Sequence, residues 1–222
     1  MTPTGDRAPV LLRHNRVELA LHPLRDAVDA VHPLLVLHGL GERTPPVAPA
    51  WTDAWAGPVW GLDLTGHGAS SPSRGGGYTA EILMADTAIA LDHLGTATVV
   101  GRGLGAYVAL LVAGACPSVV RGAVLHDGPG LAGGGPAPGS PMVIADAVVP
   151  PGPPDPFALV ELTRDVRPPD YALSWVHQAV AGSDLDTPLA VTARVRPPWL
   201  QAVAADPSVA ALTLDEALAM YS

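Results

Sequence analysis

Short apolar runs of four to six residues, rich in Val, Leu and Ala, alternate with longer segments of helical pattern. That alternation limits the fold more than any other feature. The runs lie at residues 10–13, 17–22, 34–38, 59–63, 98–101, 123–127, 189–193 and 210–214. The first two read as a hairpin turning at His14-Asn15. The others are uninterrupted apolar strands, as in a sheet buried on both faces. Helical patterns cover about 48–56, 79–94, 104–116, 156–181, 198–205 and 215–221. Strand–helix alternation predicts an α/β fold with a mostly parallel sheet of about eight strands. Residues 128–156, crowded with Gly and Pro, break the rhythm and predict a short irregular excursion over the sheet, or a mobile flap. With no internal repeat and no second core pattern, a single domain over residues 1–222 is expected.

Composition removes several function classes. Hydrophobic residues make up 48% of the chain and charged residues 15%, enough for a sizeable core and too apolar for disorder. The net charge is −9, which opposes binding to phosphate backbones, so no nucleic-acid partner is expected. All basic residues are Arg, which with the Ala, Gly and Pro content suggests a GC-rich bacterial genome. A lone Cys116 excludes an internal disulfide framework and fits a reducing cytoplasm. The first residues lack the long apolar core of a signal peptide. The longest apolar stretch, residues 104–116, is too short for a span of ~20 residues.

Four strand ends carry turns that can bear chemistry, because ligands of open α/β sheets collect there. They read LLVLHGLGE at 34–42, VWGLDLTGHGAS at 59–70, TVVGRGLGAYVALL at 98–111 and GAVLHDGPG at 122–130. On three of these turns the chain resembles the α/β-hydrolase superfamily. They are His38-Gly39 after the third strand, the Asp63–Ser70 turn after the fourth, and the Gly101-Arg102-Gly103-Leu104-Gly105 elbow after the fifth. The resemblance implies an α/β-hydrolase fold in which a short flap, about 128–156, stands in for a full cap. It also implies oxyanion-type backbone donors at Leu40 and Leu104.

At the position where the family places a nucleophile, this chain has Gly103. Glycine cannot attack a substrate, but it adopts the strained dihedrals of that turn freely. The family's acid follows the seventh strand, where residues 188–198 supply Arg194 and Arg196 and no carboxylate. The family's His follows the last strand, yet residues 179–222 contain none. A triad works as a unit, so this pattern predicts no Ser hydrolase activity and a non-catalytic or ligand-binding descendant of the fold. Its ligand would be a small organic acid or carbonyl compound held by Leu40, Leu104, Arg194 and Arg196; a protein partner is the other candidate.

Other readings stand beside that one. An enzyme without a covalent Ser would use His38, His126 or Asp127 as acid or base, with His177 as a displaced base. His38 could equally order its turn through hydrogen bonds, and His67 and Asp63 would tie down the Gly-His-Gly turn. A dinucleotide-binding reading rests on G-x-G-x-x-A at Gly101, Gly103 and Ala106, with Asp127 at the next strand end. Against it, three parallel-type strands precede the fingerprint. His38, Asp63, His67, His126 and Asp127 come from separate turns without short ligand spacing, so no metal site and no cofactor are expected. Trp51, Trp55 and Trp60 read as core, and Cys116 as a buried inert thiol.

Overall fold

The computed structural model describes residues 7–137 and 152–222. The predicted flap is therefore described over 128–137 and from 152 onward, and its middle lies outside the described residues. Among these residues, eight strands form one sheet: β1 (Val10–His14), β2 (Val17–Arg25), β3 (Leu34–Leu37), β4 (Val59–Leu62), β5 (Ala97–Arg102), β6 (Val120–His126), β7 (Leu189–Val191) and β8 (Val209–Ala211). Their order is β1-β2-β4-β3-β5-β6-β7-β8. The β1–β2 and β2–β4 pairs are antiparallel, and the remaining pairs are parallel. The hairpin turns at Asn15-Arg16, where Asn15 takes φ 56°, a left-handed conformation Asn tolerates better than most residues.

Among the described residues, six helices accompany the sheet: α1 (Ala80–Leu94), α2 (Leu104–Ala115), α3 (Pro156–Arg164), α4 (Pro169–Gly182), α5 (Pro198–Ala205) and α6 (Leu214–Tyr221). Strand side chains alternate between two cores. Leu35, Leu37, Val99, Leu125 and Val191 pack with α1, α2, α4 and α5. Leu34, Val36, Val100, Val124 and Ala190 pack with Trp55 and α6. Burying each such Leu or Val contributes about 1.5–3 kcal/mol. Every α2 residue from Leu104 to Gly114 is buried, so the elbow leading into this helix is anchored in the most enclosed element of the fold.

Two sequence expectations are corrected. The helix expected over 48–56 is a single 3-10 turn, Ala50–Thr52, flanked by Pro49 and closed by Gly57. Prolines lack the N–H that would carry a longer helix, and Trp55 is instead pinned by its indole N–H donating to the His32 carbonyl at 3.1 Å. The helix expected over 156–181 is two helices, because Pro168 and Pro169 restrict the residues before them and start α4 anew.

The described part of the flap is tied down. Leu131 is 5% exposed. The Arg167 side chain, itself buried between α3 and α4, donates from one terminal nitrogen to the Gly130 carbonyl at 2.7 Å and the Leu131 carbonyl at 2.8 Å. The Trp199 indole donates to the same Leu131 carbonyl at 2.8 Å. Backbone bonds Gly134 N–H to Asp165 O, 2.7 Å, and Arg167 N–H to Gly135 O, 2.8 Å, close the clamp. Arg167 also lies over the Tyr107 ring, 4.5 Å from its centroid. Burial pulls its pKa down to about 10, opposed by Asp165 at 3.9 Å. Replacing Arg167 by Met leaves Asp165 and two carbonyls without their cation. Such a loss costs roughly 3–5 kcal/mol, to be read as the difference in urea unfolding free energy; a loss below 1 kcal/mol contradicts the clamp.

Candidate functional site

The turns that the sequence singles out do converge, at the C-terminal ends of β3, β5 and β6. Gly103, between β5 and α2, has φ 60° and ψ −118°, a conformation that side-chain-bearing residues adopt at a cost of about 1–3 kcal/mol. Its N–H donates to the His126 carbonyl at 3.0 Å. Above it, where a nucleophile's side chain would rise, stands the backbone of the turn after β6. A Cβ on Gly103 would lie 2.1 Å from the Pro129 oxygen and 2.6 Å from the Gly128 carbonyl carbon. The Pro129 carbonyl accepts the Leu40 N–H at 3.0 Å and the Leu104 N–H at 2.9 Å. Leu104 opens α2, so the same oxygen also sits at the positive end of a helix dipole. Gly130 lets the segment lie this close, since a Cβ there would meet Leu40 Cβ at 2.5 Å.

The candidate acids and bases are held in hydrogen bonds of their own. His38 donates from Nδ1 to the Gly39 carbonyl at 2.8 Å and accepts the Leu64 N–H on Nε2 at 3.1 Å. Both ring nitrogens are used, and burial lowers its pKa, so His38 orders the turn as a neutral imidazole. His126 Nδ1 lies 2.9 Å from Thr192 Oγ1, and its pKa is also lowered by burial. Asp127 accepts the Arg194 N–H at 2.7 Å on one oxygen and the Val195 N–H at 3.0 Å on the other. It therefore staples the β7–α5 loop. His177 is mostly exposed on α4 and faces Asp206 at 3.6 Å, in the α4–α5 surface. The Arg194 and Arg196 side chains are exposed, and Arg196 Nε donates to its neighbour Ala193 O at 3.3 Å. No hydrogen bond carries either guanidinium to Leu40, Leu104 or Pro129.

The Asp63 turn is built the same way. Burial opposes ionisation of Asp63, yet hydrogen bonds from His22 and from the Ala69 and Thr44 N–H groups outweigh it and hold the pKa down to about 2. His67 is fully buried, and burial with His38 beside it lowers its pKa to about 4. Its Nδ1 lies 3.1 Å from the Thr65 carbonyl, and its Nε2 has no hydrogen-bond partner among the described residues. Sequence reasoning missed the pair that joins two of the turns. Glu42 accepts the Gly39 N–H at 2.9 Å and the Arg102 guanidinium at 2.7 Å. Opposite charges within the two Gly-rich turns were the available signal.

Among the described residues, the elbow position carries no side chain, and both backbone donors are filled with a peptide oxygen. The dinucleotide reading loses its support as well. The N–H that opens α2, where a pyrophosphate would approach, already binds Pro129, and Asp127 is used by the β7–α5 loop. Among the described residues, no group of three or more His, Cys, Asp or Glu could hold a metal ion, and no helix is long and apolar enough to cross a membrane.

No family model matches the chain, and no curated protein matches it. Solved structures do. Est1E from Butyrivibrio proteoclasticus, with ferulic acid bound, is 12% identical over 82% of this chain and 77% of its own, with a TM-score of 0.56. A hypothetical protein from Pseudomonas aeruginosa PAO1 is 16% identical over 83% and 80%, also at 0.56. A membrane phospholipase A described as a bacterial virulence factor is 16% identical over 95% and 80%, at 0.50. The chain spans less than half the length of three other solved structures, matching 44% of the thioesterase domain of the curacin biosynthetic pathway, 43% of an α/β-hydrolase enzyme from a deep-sea metagenome library and 39% of a probable hydrolytic enzyme from Pseudomonas aeruginosa PAO1. The sheet order and the likenesses at TM-scores of 0.50 and 0.56 establish the α/β-hydrolase fold.

The crowding at Gly103 predicts a steep penalty for any side chain there. Gly103→Ala should cost about 1–3 kcal/mol in dihedral strain and about 1–3 kcal/mol more in overpacking against the Pro129 backbone. The thermal midpoint should fall accordingly. A midpoint unchanged from wild type means the space above the elbow is open.

Proposed function

We propose that this chain is a non-catalytic member of the α/β-hydrolase fold, acting by binding rather than by acyl chemistry. The observation that carries the proposal is the Pro129 carbonyl, which takes both the Leu40 and the Leu104 N–H groups above a glycine elbow. In an acting oxyanion hole such donors await the oxygen on which charge develops. Here they spend their hydrogen bonds on the protein itself. The engagement of His38, His126 and Asp127 in turn-forming bonds supports the same reading over an enzyme that uses them as acid or base. The protein should not hydrolyse p-nitrophenyl esters above the buffer rate, nor be labelled by a fluorophosphonate probe. Gly103→Ser should remain inactive, because general-base assistance, typically worth about 10²–10⁴-fold, has no positioned imidazole to supply it. Stoichiometric labelling of a Ser in the wild type, or robust turnover by the variant, would falsify the proposal.

A second reading gives the elbow a ligand. The two N–H groups already converge on one oxygen, so an organic acid that displaced the exposed Pro129 would inherit both donors and the positive end of α2. Arg194 and Arg196 lie on a loop joined to the same turn through Asp127 and could add charge. In a thermal-shift screen of small carboxylates with apolar tails, this reading expects a rise in midpoint that shrinks in the Arg194→Ala, Arg196→Ala double variant. The absence of any shift across the library removes it and leaves a protein partner as the binding reading.

A further inference from the structure

A large cavity among the described residues lies away from the elbow. It is a groove of about 1170 Å³ between the tip of the β1–β2 hairpin, the segment after the Asp63 turn, and the first turns of α1. Arg13, Arg16 and Arg74 line it, in a chain whose net charge is −9. Arg13 Nε donates to the Asn15 carbonyl at 3.1 Å. Arg16 and Arg74, both exposed, have no hydrogen bond or ion pair among the described residues. Two carboxylates line the groove as well, Glu18 and Glu81. Glu81 already accepts the Tyr171 hydroxyl at 3.0 Å, so three guanidiniums face two carboxylates, one of them engaged.

The floor of the groove is built rather than incidental. His14 Nδ1 lies 2.8 Å from Asp86 Oδ1. Asp86 is fully buried on α1, and its other oxygen accepts the Thr65 N–H at 3.1 Å. A buried carboxylate is costly and orients whatever it bonds. It fixes the His14 ring so that Nε2 is the nitrogen left for a ligand. Thr65, whose backbone and side chain both hydrogen-bond the Asp86 carboxylate, lines the same groove.

We infer that this groove binds a small phosphomonoester. A tetrahedral dianion offers three terminal oxygens, enough to engage two free guanidinium forks and an imidazole together, whereas a carboxylate is saturated by one fork. The volume exceeds that of a bare phosphate, and Val17 and Ile82 supply an apolar wall for the organic remainder. The site is separate from the elbow and holds whether or not Pro129 is ever displaced.

Calorimetric titration of the whole protein with phenyl phosphate, inorganic phosphate and benzoate tests the assignment. Phenyl phosphate should bind saturably and more tightly than either comparator. The Arg16→Gln, Arg74→Gln double variant should weaken it at least about tenfold, the effect of losing a charge-assisted hydrogen bond or more. Both positions are exposed, so the variant should keep the wild-type thermal midpoint, and Arg194→Ala, Arg196→Ala should bind phenyl phosphate as wild type does. No saturable binding, equal affinity for inorganic phosphate or benzoate, or undiminished binding by the Arg16/Arg74 variant overturns the inference. His14→Gln gives a second reading of the same site, and unaltered affinity there equally counts against it.

Discussion

One carbonyl oxygen holds the three central turns together. Pro129 belongs to the turn after β6, and its oxygen receives one N–H from the turn after β3 and one from the turn after β5. These strands are neighbours in the sheet, so the bond pins their C-terminal ends at a single point. Two converging N–H groups removed from water would cost about 1–3 kcal/mol each if left unpaired. Filling them from within removes that cost. The filling requires Gly at position 103, since any Cβ would strike the carbonyl that does it. Glycine at position 103 and the Pro129 carbonyl above it are thus two aspects of one packing arrangement.

The clamp behind Pro129 follows from the same need. A Gly- and Pro-rich turn has little structure of its own, so its position must come from elsewhere. Arg167 and Trp199 supply it by taking the Gly130 and Leu131 carbonyls. Polar residues at the strand ends serve similar ends. His38 braces the turn after β3 against the Asp63 turn, Glu42 with Arg102 joins that turn to the elbow, and Asp127 fastens the loop after β7. Groups with the chemistry of acids and bases are spent as staples, and burial keeps His38 and His67 neutral in that role.

Much of this is legible in the residues. The apolar runs locate all eight strands to within a few residues; the central ones are buried on both faces, which leaves them few alternatives. The three turns and the vacant position at Gly103 are local patterns, visible without any contact map. The Pro168-Pro169 break was legible too, and the helical periodicity on either side of it obscured it. The Pro129 plug was not, because it joins residues far apart in the chain. A Gly-Pro-Gly triplet after Asp127 signals a tight turn, yet nothing local says that its carbonyl faces Leu104. Arg167 is equally silent in sequence. A single Arg before two prolines reads as a surface residue, and only the packing of Tyr107 and Asp165 around it makes it an internal cation.

The central claim is a pair of hydrogen bonds, and it can be observed as such. Scalar couplings transmitted through hydrogen bonds, measured by NMR on labelled protein, should connect the amide nitrogens of both Leu40 and Leu104 to the carbonyl carbon of Pro129. The account predicts both correlations, at intensities comparable with those across the β3–β5 ladder. Ladder correlations without either Pro129 correlation would contradict it, and would return the two donors to a pocket open to a ligand.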